Sequence, residues 1–541
     1  MTTHEKKRRL ALRVAAADRE PPTRALRTYV HVLGVGALLV YIGMAALSYV
    51  QAPALWQYEH APQARAFFHA LATELQPVLP SASAWLVENR LFGSVQAIVL
   101  SVWVPLLVVT GIVLALILSL LRHGERADPA LPRLLLNWSF AFAAACALAF
   151  PVFTQDFWLS AAWGRMVAAG VNPYHTLFTP EWLVGLPLDH FPMAMSYGPL
   201  WALISAAVML VAGSSVLATA ILFKAVLTAA WISALCLVYR ITADKGLRER
   251  CLAIVVLGWT PAGVGQSLAE GHNDIAMVVL MLLWLFLLLR GRQQAPIALV
   301  AAALCKYVTA PLLLIDFIHA ARLQRLGWGQ CAARLIAAVI LCMGGLAIFY
   351  RSPHFFDGVR LVGSWHFLQP GEAIWAIELT LGVSFLPFAL AADAAFPILA
   401  AYLLWQAWAQ PSGEHVLQAA IGLMAAILFT AVSHLWPWYA VWGLALAALL
   451  PSWWLSRFII GVSVLAPFTL AAWWVEPFPH HQELAALAMY TGAVAWMVLT
   501  RPRPLAALRS TRGADAPLSL QHAPMPVDRP APRLDRTGTH G

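Results

Sequence analysis

Four groups of polar residues interrupt the apolar segments of this 541-residue chain. The first is Asp156, which stands where a long apolar run ends. A carboxylate at the mouth of a membrane helix loses water when it is charged, so such residues mark functional sites by default. Asp156 could act as a general base that takes a proton from an attacking hydroxyl, and we expect partial burial to raise its pKa. The alternative is a solvated helix-terminal carboxylate, or one paired with Arg165.

The second group is the segment 270–274 (Glu-Gly-His-Asn-Asp), which lies between two apolar runs. Small and polar residues at membrane depth need water or a ligand to satisfy them. A turn capped by Asn273 and Asp274 would explain those two residues but leaves Glu270 and His272 unexplained. We therefore favour a binding site here. A metal site is the weaker alternative, because a single histidine is little evidence for zinc.

The third group surrounds Lys306, which lies inside an apolar helix five residues before Pro311. Proline loosens the helix, and the lysine must find an anion or extend along the helix to an interface. A lipid phosphate is the attractive partner, because lysine binds phosphate as a compact point charge. Extension to the interface remains an equal alternative at this point.

The fourth group is the segment 433–439 (Ser-His-Leu-Trp-Pro-Trp-Tyr). Tryptophan and tyrosine collect at membrane interfaces, so an aromatic belt could account for Trp438 and Tyr439. Proline and His434 in the same stretch indicate a broken helix end that lines a cavity. In that interpretation the aromatic faces would also serve as platforms for a sugar.

Composition determines the kind of protein that must position these groups. The chain is 61% hydrophobic and 11% charged, with a mean hydropathy of +0.71. Soluble domains carry about 25% charged residues, so a soluble fold is excluded. Apolar runs of about 20 residues recur along the chain, which predicts an all-α, polytopic transmembrane bundle of about 12–14 helices. The six cysteines stand singly, without metal-ligand or redox spacing.

The apolar pattern also predicts how the chain is divided. We expect a basic cytoplasmic arm (1–27), a transmembrane hairpin (28–133) and a larger transmembrane module (134–500). A proline- and arginine-rich tail (501–541) is expected to be disordered in the cytoplasm. The long aromatic loop 154–197 inside the module is expected to face outward.

Orientation follows from the distribution of arginines, which favours cytoplasmic loops. Arg122 and Arg126 mark such a loop, but two full crossings between 198 and 239 would then place Arg240 outside. One of those segments is expected to be short, re-entrant or interfacial. Because basic residues gather at the termini and in these loops, the net charge of +9 does not indicate nucleic-acid binding.

In their order along the chain, these elements resemble the GT-C superfamily of membrane glycosyltransferases, which use polyprenyl-phosphate sugars. The nearest resemblance is to the mannosyltransferases that elongate bacterial lipoglycans. The match extends over roughly 134–442, and the hairpin before it is an addition to the shared pattern. The residues that carry it are Gln155-Asp156, Gly170, Asn172-Pro173-Tyr174, Ser196-Tyr197-Gly198-Pro199-Leu200, Gly271-His272-Asn273-Asp274, Lys306, Pro311 and Pro437-Trp438-Tyr439.

The resemblance implies transfer of a hexose, with mannose expected, from a polyprenyl-phosphate donor to a glycan or glycolipid acceptor. It implies a bacterial cytoplasmic-membrane protein whose active site faces the periplasm, with Asp156 as the catalytic base and, in a single displacement, inversion at the anomeric carbon. No Asp-Asp or Asp-X-Asp pair occurs in the loop, so a metal-independent reaction without cofactors is expected. The candidate donor- or acceptor-binding residues are Arg165, Asn172, Tyr174, Tyr197, Glu270, His272, Asp274, Lys306, His434, Trp438 and Tyr439.

Two other functions fit the same polar residues. A secondary transporter or lipid-linked sugar flippase could use Asp156, Glu270, His272 and Asp274 as a proton-coupled path. Transporters often show two pseudo-symmetric halves with interrupted helices, and no such doubling is visible in this sequence. A non-catalytic assembly protein is the other alternative, and the clustering of the polar groups weakens it.

Overall fold

The computed structural model describes residues 22–59, 69–74, 76–77, 95–188, 193–382, 384–470 and 481–502. Over these ranges the chain is helical and contains no β-strand, which confirms the all-α polytopic bundle. Eight described helices are long and apolar enough to cross a membrane, and five shorter apolar helices accompany them. The predicted number of about 12–14 helices is reached only when the shorter ones are counted.

Nineteen α-helices are described. Several of them begin with proline in the first turn, where its missing N–H costs nothing. In chain order they are α1 (Pro22–Glu59), α2 (Val95–His123), α3 (Leu131–Ala147), α4 (Asp156–Ala168), α5 (Pro180–Leu183), α6 (Pro199–Ala212), α7 (Val216–Ile241), α8 (Leu247–Gly258), α9 (Asp274–Leu289), α10 (Ala295–Cys305), α11 (Leu313–Arg322), α12 (Trp328–Ala347), α13 (Asp357–Gly363), α14 (Pro370–Leu381), α15 (Leu386–Ala409), α16 (Gly413–Ala426), α17 (Ala440–Ala447), α18 (Trp454–Thr469) and α19 (His481–Leu499).

Irregular helical turns occur where the polar groups lie. A π-helix, Pro261–Ala269, continues α8 as far as the segment 270–274, and a second one, Ile427–Ala431, continues α16 toward the segment 433–439. A 3₁₀ turn, Tyr307–Leu312, follows Lys306 directly. Such interruptions are frequent at functional sites in helical proteins, because they turn side chains and backbone groups out of the regular pattern.

Helices α4 and α6 run side by side in the same direction. The Trp201 indole donates a hydrogen bond to the Ser160 hydroxyl (3.0 Å), and one turn further along Gly164 packs against the backbone of Ser205. Both helices therefore start at the same level of the bundle. With 14 residues, α6 is about 21 Å long, which is less than the hydrocarbon thickness of about 30 Å.

The short α6 explains at which end of the bundle the arginines that follow it lie. Just after α6, the Ser215 hydroxyl donates to the Glu74 carboxylate (2.7 Å), so residue 215 lies at the same end of the bundle as Glu74. Helix α7, with 26 residues, then reaches the opposite end, where Arg248 pairs with Glu125 (3.3 Å). The chain thus makes one long crossing between 198 and 241, and Arg240 lies at the end that carries the other arginines. We call this end the arginine-rich end.

Candidate active site

Asp156 is the first residue of α4 and faces the segment 270–274. Its Oδ2 lies 3.4 Å from Nδ1 of His272, and the His272 ring is almost completely buried while the Asp156 side chain is 25% exposed. At 3.4 Å this contact is longer than a well-formed hydrogen bond. Arg165 is not the partner of Asp156. The carboxylate can therefore be reached from outside and is supported from inside by a histidine.

The electrostatic surroundings of Asp156 lower its pKa. Burial raises the pKa of the carboxyl, but the His272 ring, the charge of Lys306 and a hydrogen bond from Tyr197 together bring it below the ordinary value of 3.8. The expectation that partial burial raises this pKa is wrong, because it did not include neighbours that come from distant parts of the sequence. Asp156 is ionised at neutral pH and able to accept a proton.

Glu270 holds the backbone that leads into Asp156. Its Oε2 accepts hydrogen bonds from the N–H groups of Val152 (3.0 Å) and Phe153 (2.9 Å). The neighbouring Gly271 has φ +75°, and a Cβ there would lie 2.6 Å from the Phe157 ring. The carboxylate of Glu270 is thus engaged with backbone at the start of the loop, as a clamp between the segment 270–274 and Asp156.

Lys224 supports the same turn from the side of α7. Its ammonium group donates to the carbonyl oxygens of Leu268 and Ala269 (2.7 Å for the latter), and the side chain is buried. These carbonyls belong to the end of the π-helix, which has no further helical turn to bond them. Sequence analysis missed Lys224, although a lysine inside a 26-residue apolar helix is the same kind of signal that drew attention to Lys306.

Lys306 finds its anion inside the protein. Its Nζ donates to Oδ1 of Asp274 at 2.6 Å, and both residues are buried. The same carboxylate oxygen accepts from the Trp442 indole, and Lys306 lies over the rings of Tyr439 (4.3 Å) and Tyr197 (5.3 Å). Aromatic faces attract a desolvated cation. Lys306 therefore does not extend to the membrane interface, and Asp274 serves as its partner rather than as a helix cap.

A close backbone contact fixes the position of the chain just before Lys306. The N–H of Gly198 donates to the carbonyl oxygen of Cys305 (2.9 Å), and a Cβ at Gly198 would overlap the carbonyl of Leu304. Only glycine allows the start of α6 to approach α10 this closely. Through this contact the residue before α6 and the last turn of α10, which leads directly into Lys306, are held against each other.

Three aromatic rings form a stack beside Asp156. His272 stacks on Trp438 (centroids 4.0 Å apart, 13° between the planes), and Trp438 stacks on Trp436 (4.7 Å, 7°). Both faces of Trp438 are covered in this way. Trp438 therefore holds the His272 ring in place, and its faces do not provide the sugar platform that the sequence suggested.

His434 lies behind this stack and is almost fully buried. Its Nε2 is 3.4 Å from the Tyr439 hydroxyl, and its Nδ1 is 3.3 Å from the Ser433 hydroxyl. Burial, together with the charge of Lys306, lowers the pKa of His434 to about 4. The ring is neutral at physiological pH, and it orients Tyr439, which in turn faces Lys306.

Three of the candidate residues hold the long loop in shape. Arg165 donates to the carbonyl oxygens of Trp182 (3.3 Å) and Val184 (2.7 Å). The Asn172 side chain donates to the carbonyl of Phe349 (2.6 Å), and Tyr174 donates to the carbonyl of Tyr197 (2.8 Å). These contacts lie away from Asp156, so Arg165, Asn172 and Tyr174 support the site indirectly by shaping its wall.

Several buried polar atoms near Asp156 have no hydrogen-bond partner among the described residues. They are Nε2 of His272, Oδ1 of Asn273, Oδ2 of Asp274 and Nε1 of Trp438, on side chains that are at most 7% exposed. Asn273 makes no capping hydrogen bond, so the cap interpretation does not account for it. Buried polar groups are normally paired, so these atoms can take polar partners such as water or the hydroxyl groups of a ligand.

The segment from residue 63 to residue 323, just under half of the chain, matches the family described as α-(1→6)-mannopyranosyltransferase, N-terminal domain. Over these residues the chain is similar to α-(1→6)-mannopyranosyltransferases of that family. The matched range contains Asp156, the segment 270–274 and Lys306, and it ends before the segment 433–439. No curated protein and no solved structure matches this chain.

Metal binding receives no support from the part of the chain that the structure describes. Within it no group of three or more histidine, cysteine, aspartate or glutamate side chains is arranged to hold a metal ion. Two carboxylates of the segment 270–274 have other partners. Asp274 binds Lys306, and Glu270 binds backbone N–H groups.

Proposed function

We propose that the protein transfers mannose from a polyprenyl-phosphate donor to a hydroxyl group of a glycan or glycolipid, with Asp156 as the general base. The acceptor oxygen attacks the anomeric carbon while its proton passes to Asp156. The bond between that carbon and the phosphate oxygen breaks, and polyprenyl phosphate leaves with the electron pair. A single displacement of this kind inverts the anomeric configuration and needs no metal ion.

The observation that carries this proposal is the position of Asp156. Among the candidate residues it combines an ionised carboxylate, partial exposure and a buried histidine in contact behind it. A general base must be within reach of the proton that it removes and must be deprotonated beforehand. The His272 ring then stabilises the carboxylate before the reaction and can share the proton afterwards.

The donor phosphate is assigned to the surroundings of Lys306. Its ammonium group is bonded to one carboxylate oxygen and lies against the rings of Tyr197 and Tyr439, so it is oriented rather than mobile. A preorganised cation stabilises the charge that develops on a leaving phosphate without needing to rearrange during the reaction. A lipid-linked sugar suits a site in a membrane bundle, because the lipid supplies both the anchor and the leaving group.

The unpaired atoms of the segment 270–274 and Trp438 are assigned to the sugar. Asn273 and Asp274 offer oxygen acceptors, which suit hydroxyl donors and repel phosphate. Sugar and phosphate would therefore lie on opposite sides of Asp274, with hydroxyls on its free oxygen and phosphate beyond Lys306.

Purified protein assayed with a panel of polyprenyl-phosphate sugars and glycan acceptors tests the assignment. Asp156→Asn keeps the shape of the side chain but cannot accept the proton, so we expect a loss of turnover of at least about a hundredfold with the fold retained. Asp244→Asn, at an exposed position at the arginine-rich end, is the matched control for the same change of charge. Transfer by Asp156→Asn at the wild-type rate would eliminate Asp156 as the base.

The membrane side of the site is tested by thiol labelling of intact cells in a variant without native cysteines. Thr179→Cys and Ser364→Cys are both at exposed positions and should react with an impermeant reagent. Ala243→Cys, at the arginine-rich end, should react only after lysis. Labelling of residue 243 alone in intact cells would reverse the proposed orientation.

A further inference from the structure

A groove of about 580 Å³ lies between α10 and α12 near the arginine-rich end of the bundle. The two helices run in the same direction and touch at their far ends, where Gly345 packs against Leu304. Toward their first turns they separate, and the groove opens there. Its volume lies within the range of about 300–1,000 Å³ that is typical of small-molecule sites. The wall includes Ile297, Ala337 and Leu341 on its apolar side and Gln293, Gln330 and Arg334 on its polar side.

Two short loops border the mouth of this groove. The loops 290–294 and 322–327 contain four arginines and no acidic residue, and they touch each other where Gly291 meets Gln324. Arg292 and Arg325 are exposed there. Positive charge therefore flanks the mouth of a groove whose wall is mostly apolar.

The charge inside the groove is already neutralised. Arg334 forms two hydrogen bonds with Asp316, from Nε at 2.7 Å and from Nη2 at 3.0 Å, and Asp316 also accepts from the Trp284 indole (3.1 Å). The wall is thus neutral and mostly apolar, while the unbalanced positive charge is at the mouth. A ligand that fits must be apolar along most of its length and anionic at one end.

We propose that this groove binds an anionic glycerophospholipid, with an acyl chain between α10 and α12 and the phosphate against Arg292 and Arg325. Basic pockets between transmembrane helices are known to bind acidic head groups. The amide nitrogen of Gln324 is buried without a hydrogen-bond partner among the described residues, and it is a further donor for the phosphate. The apolar window of α12 is almost entirely exposed, so a lipid can enter the groove from the side.

The charge of the chain's own terminal segments makes them unsuitable ligands for this groove. Residues 1–21 and 503–541 each contain six basic residues against three acidic ones. Segments with a net positive charge are repelled by the arginines of the mouth, whereas a phospholipid phosphate is attracted to them. A lipid therefore matches both the apolar wall and the charged mouth.

Native mass spectrometry of the purified full-length protein, titrated with phosphatidylglycerol or phosphatidylcholine, tests the proposal. The double variant Arg292→Gln/Arg325→Gln should bind phosphatidylglycerol about twenty-five-fold more weakly, since each arginine near the membrane surface contributes a factor of about five. Ala337→Phe fills the groove and should abolish tight binding of both lipids. Retention of the wild-type affinity for phosphatidylglycerol by both variants would overturn the proposal.

The matched control is Arg122→Gln/Arg126→Gln, which removes the same charge from exposed positions at the same end of the bundle but away from the groove. Its affinity for phosphatidylglycerol should equal that of the wild type. An equal loss in both double variants would show that the protein only attracts anionic lipid through its total charge, and it would refute a specific site. Ala333→Phe, also in the groove wall, provides a second filling variant if Ala337→Phe does not fold.

Discussion

Replacement of Lys306 by methionine should destabilise the protein strongly, because it leaves the buried Asp274 carboxylate without its cation. In the structure Oδ1 of Asp274 accepts from the lysine at 2.6 Å and from the Trp442 indole, and only the indole would remain. Breaking a buried ion pair from one side costs about 3–5 kcal/mol. The loss can be measured as the shift in denaturant-induced unfolding of the purified protein in micelles.

The double variant Lys306→Met/Asp274→Asn separates stability from catalysis. Asparagine keeps an acceptor oxygen for Trp442 but carries no charge, so most of the lost 3–5 kcal/mol should return. Transfer should not return, because the donor phosphate still lacks its cation. Lys306→Arg is the control in which the charge persists while the shape differs, and it should retain part of both properties.

Two results would refute this reasoning. A Lys306→Met variant that unfolds within about 1 kcal/mol of the wild type would show that the pair with Asp274 is not a buried, mutually dependent one. Recovery of transfer in the stable double variant, with unchanged half-saturation by the donor, would show that Lys306 does not contact the phosphate.

Three further outcomes are expected. Because the pKa of Asp156 is lowered, the base stays ionised as the pH falls through the ordinary aspartate value, so kcat/KM should show no loss from Asp156 between about pH 7 and pH 5. A loss in this range whose midpoint moves when Asp156 is replaced by glutamate would belong to the base and would contradict the lowered pKa. Glu270→Ala should remove the hydrogen bonds that two backbone N–H groups donate to Glu270, at a cost of about 1–3 kcal/mol, and should lower kcat. Glu270→Gln keeps an acceptor oxygen and should keep both stability and kcat near the wild-type values. Equal behaviour of the two variants would show that Glu270 does not hold this backbone. Gly198→Ala should lower both stability and transfer, because the added Cβ overlaps a carbonyl of α10. Gly344→Ala is the control, since the space around that residue is open, and it should have little effect on either property. Equal thermal stability and activity in the two variants would disprove the close contact.

The fold class could be predicted from the sequence because the apolar runs are long and the charged residues few. The structure confirms the helical bundle, and it also brings Asp156, His272, Lys306 and Tyr439 together from four separate polar groups. Clustering of this kind is expected because burying a polar residue at membrane depth costs free energy unless the residue has a partner. The partners are other polar residues at the same depth.

The individual pairings could not be predicted in the same way. Lys306 had a phosphate or an interface as its expected partner, whereas Asp274, 32 positions earlier, is the partner in the structure. Likewise Glu270 bonds to backbone about 118 positions away, which leaves no trace in local composition. A sequence shows that a buried charge needs a partner, but the choice among distant partners depends on packing.

The parallel arrangement of α4 and α6 has an electrostatic consequence. Both helices begin at the level of the site, so the positive ends of two helix dipoles lie there, with Asp156 at the start of one helix and Gly198 just before the other. Each helix start is equivalent to about half a positive elementary charge. A leaving phosphate at this place would be met by backbone dipoles as well as by Lys306. No single side-chain substitution removes that part of the field, because it is built into the direction of the two helices.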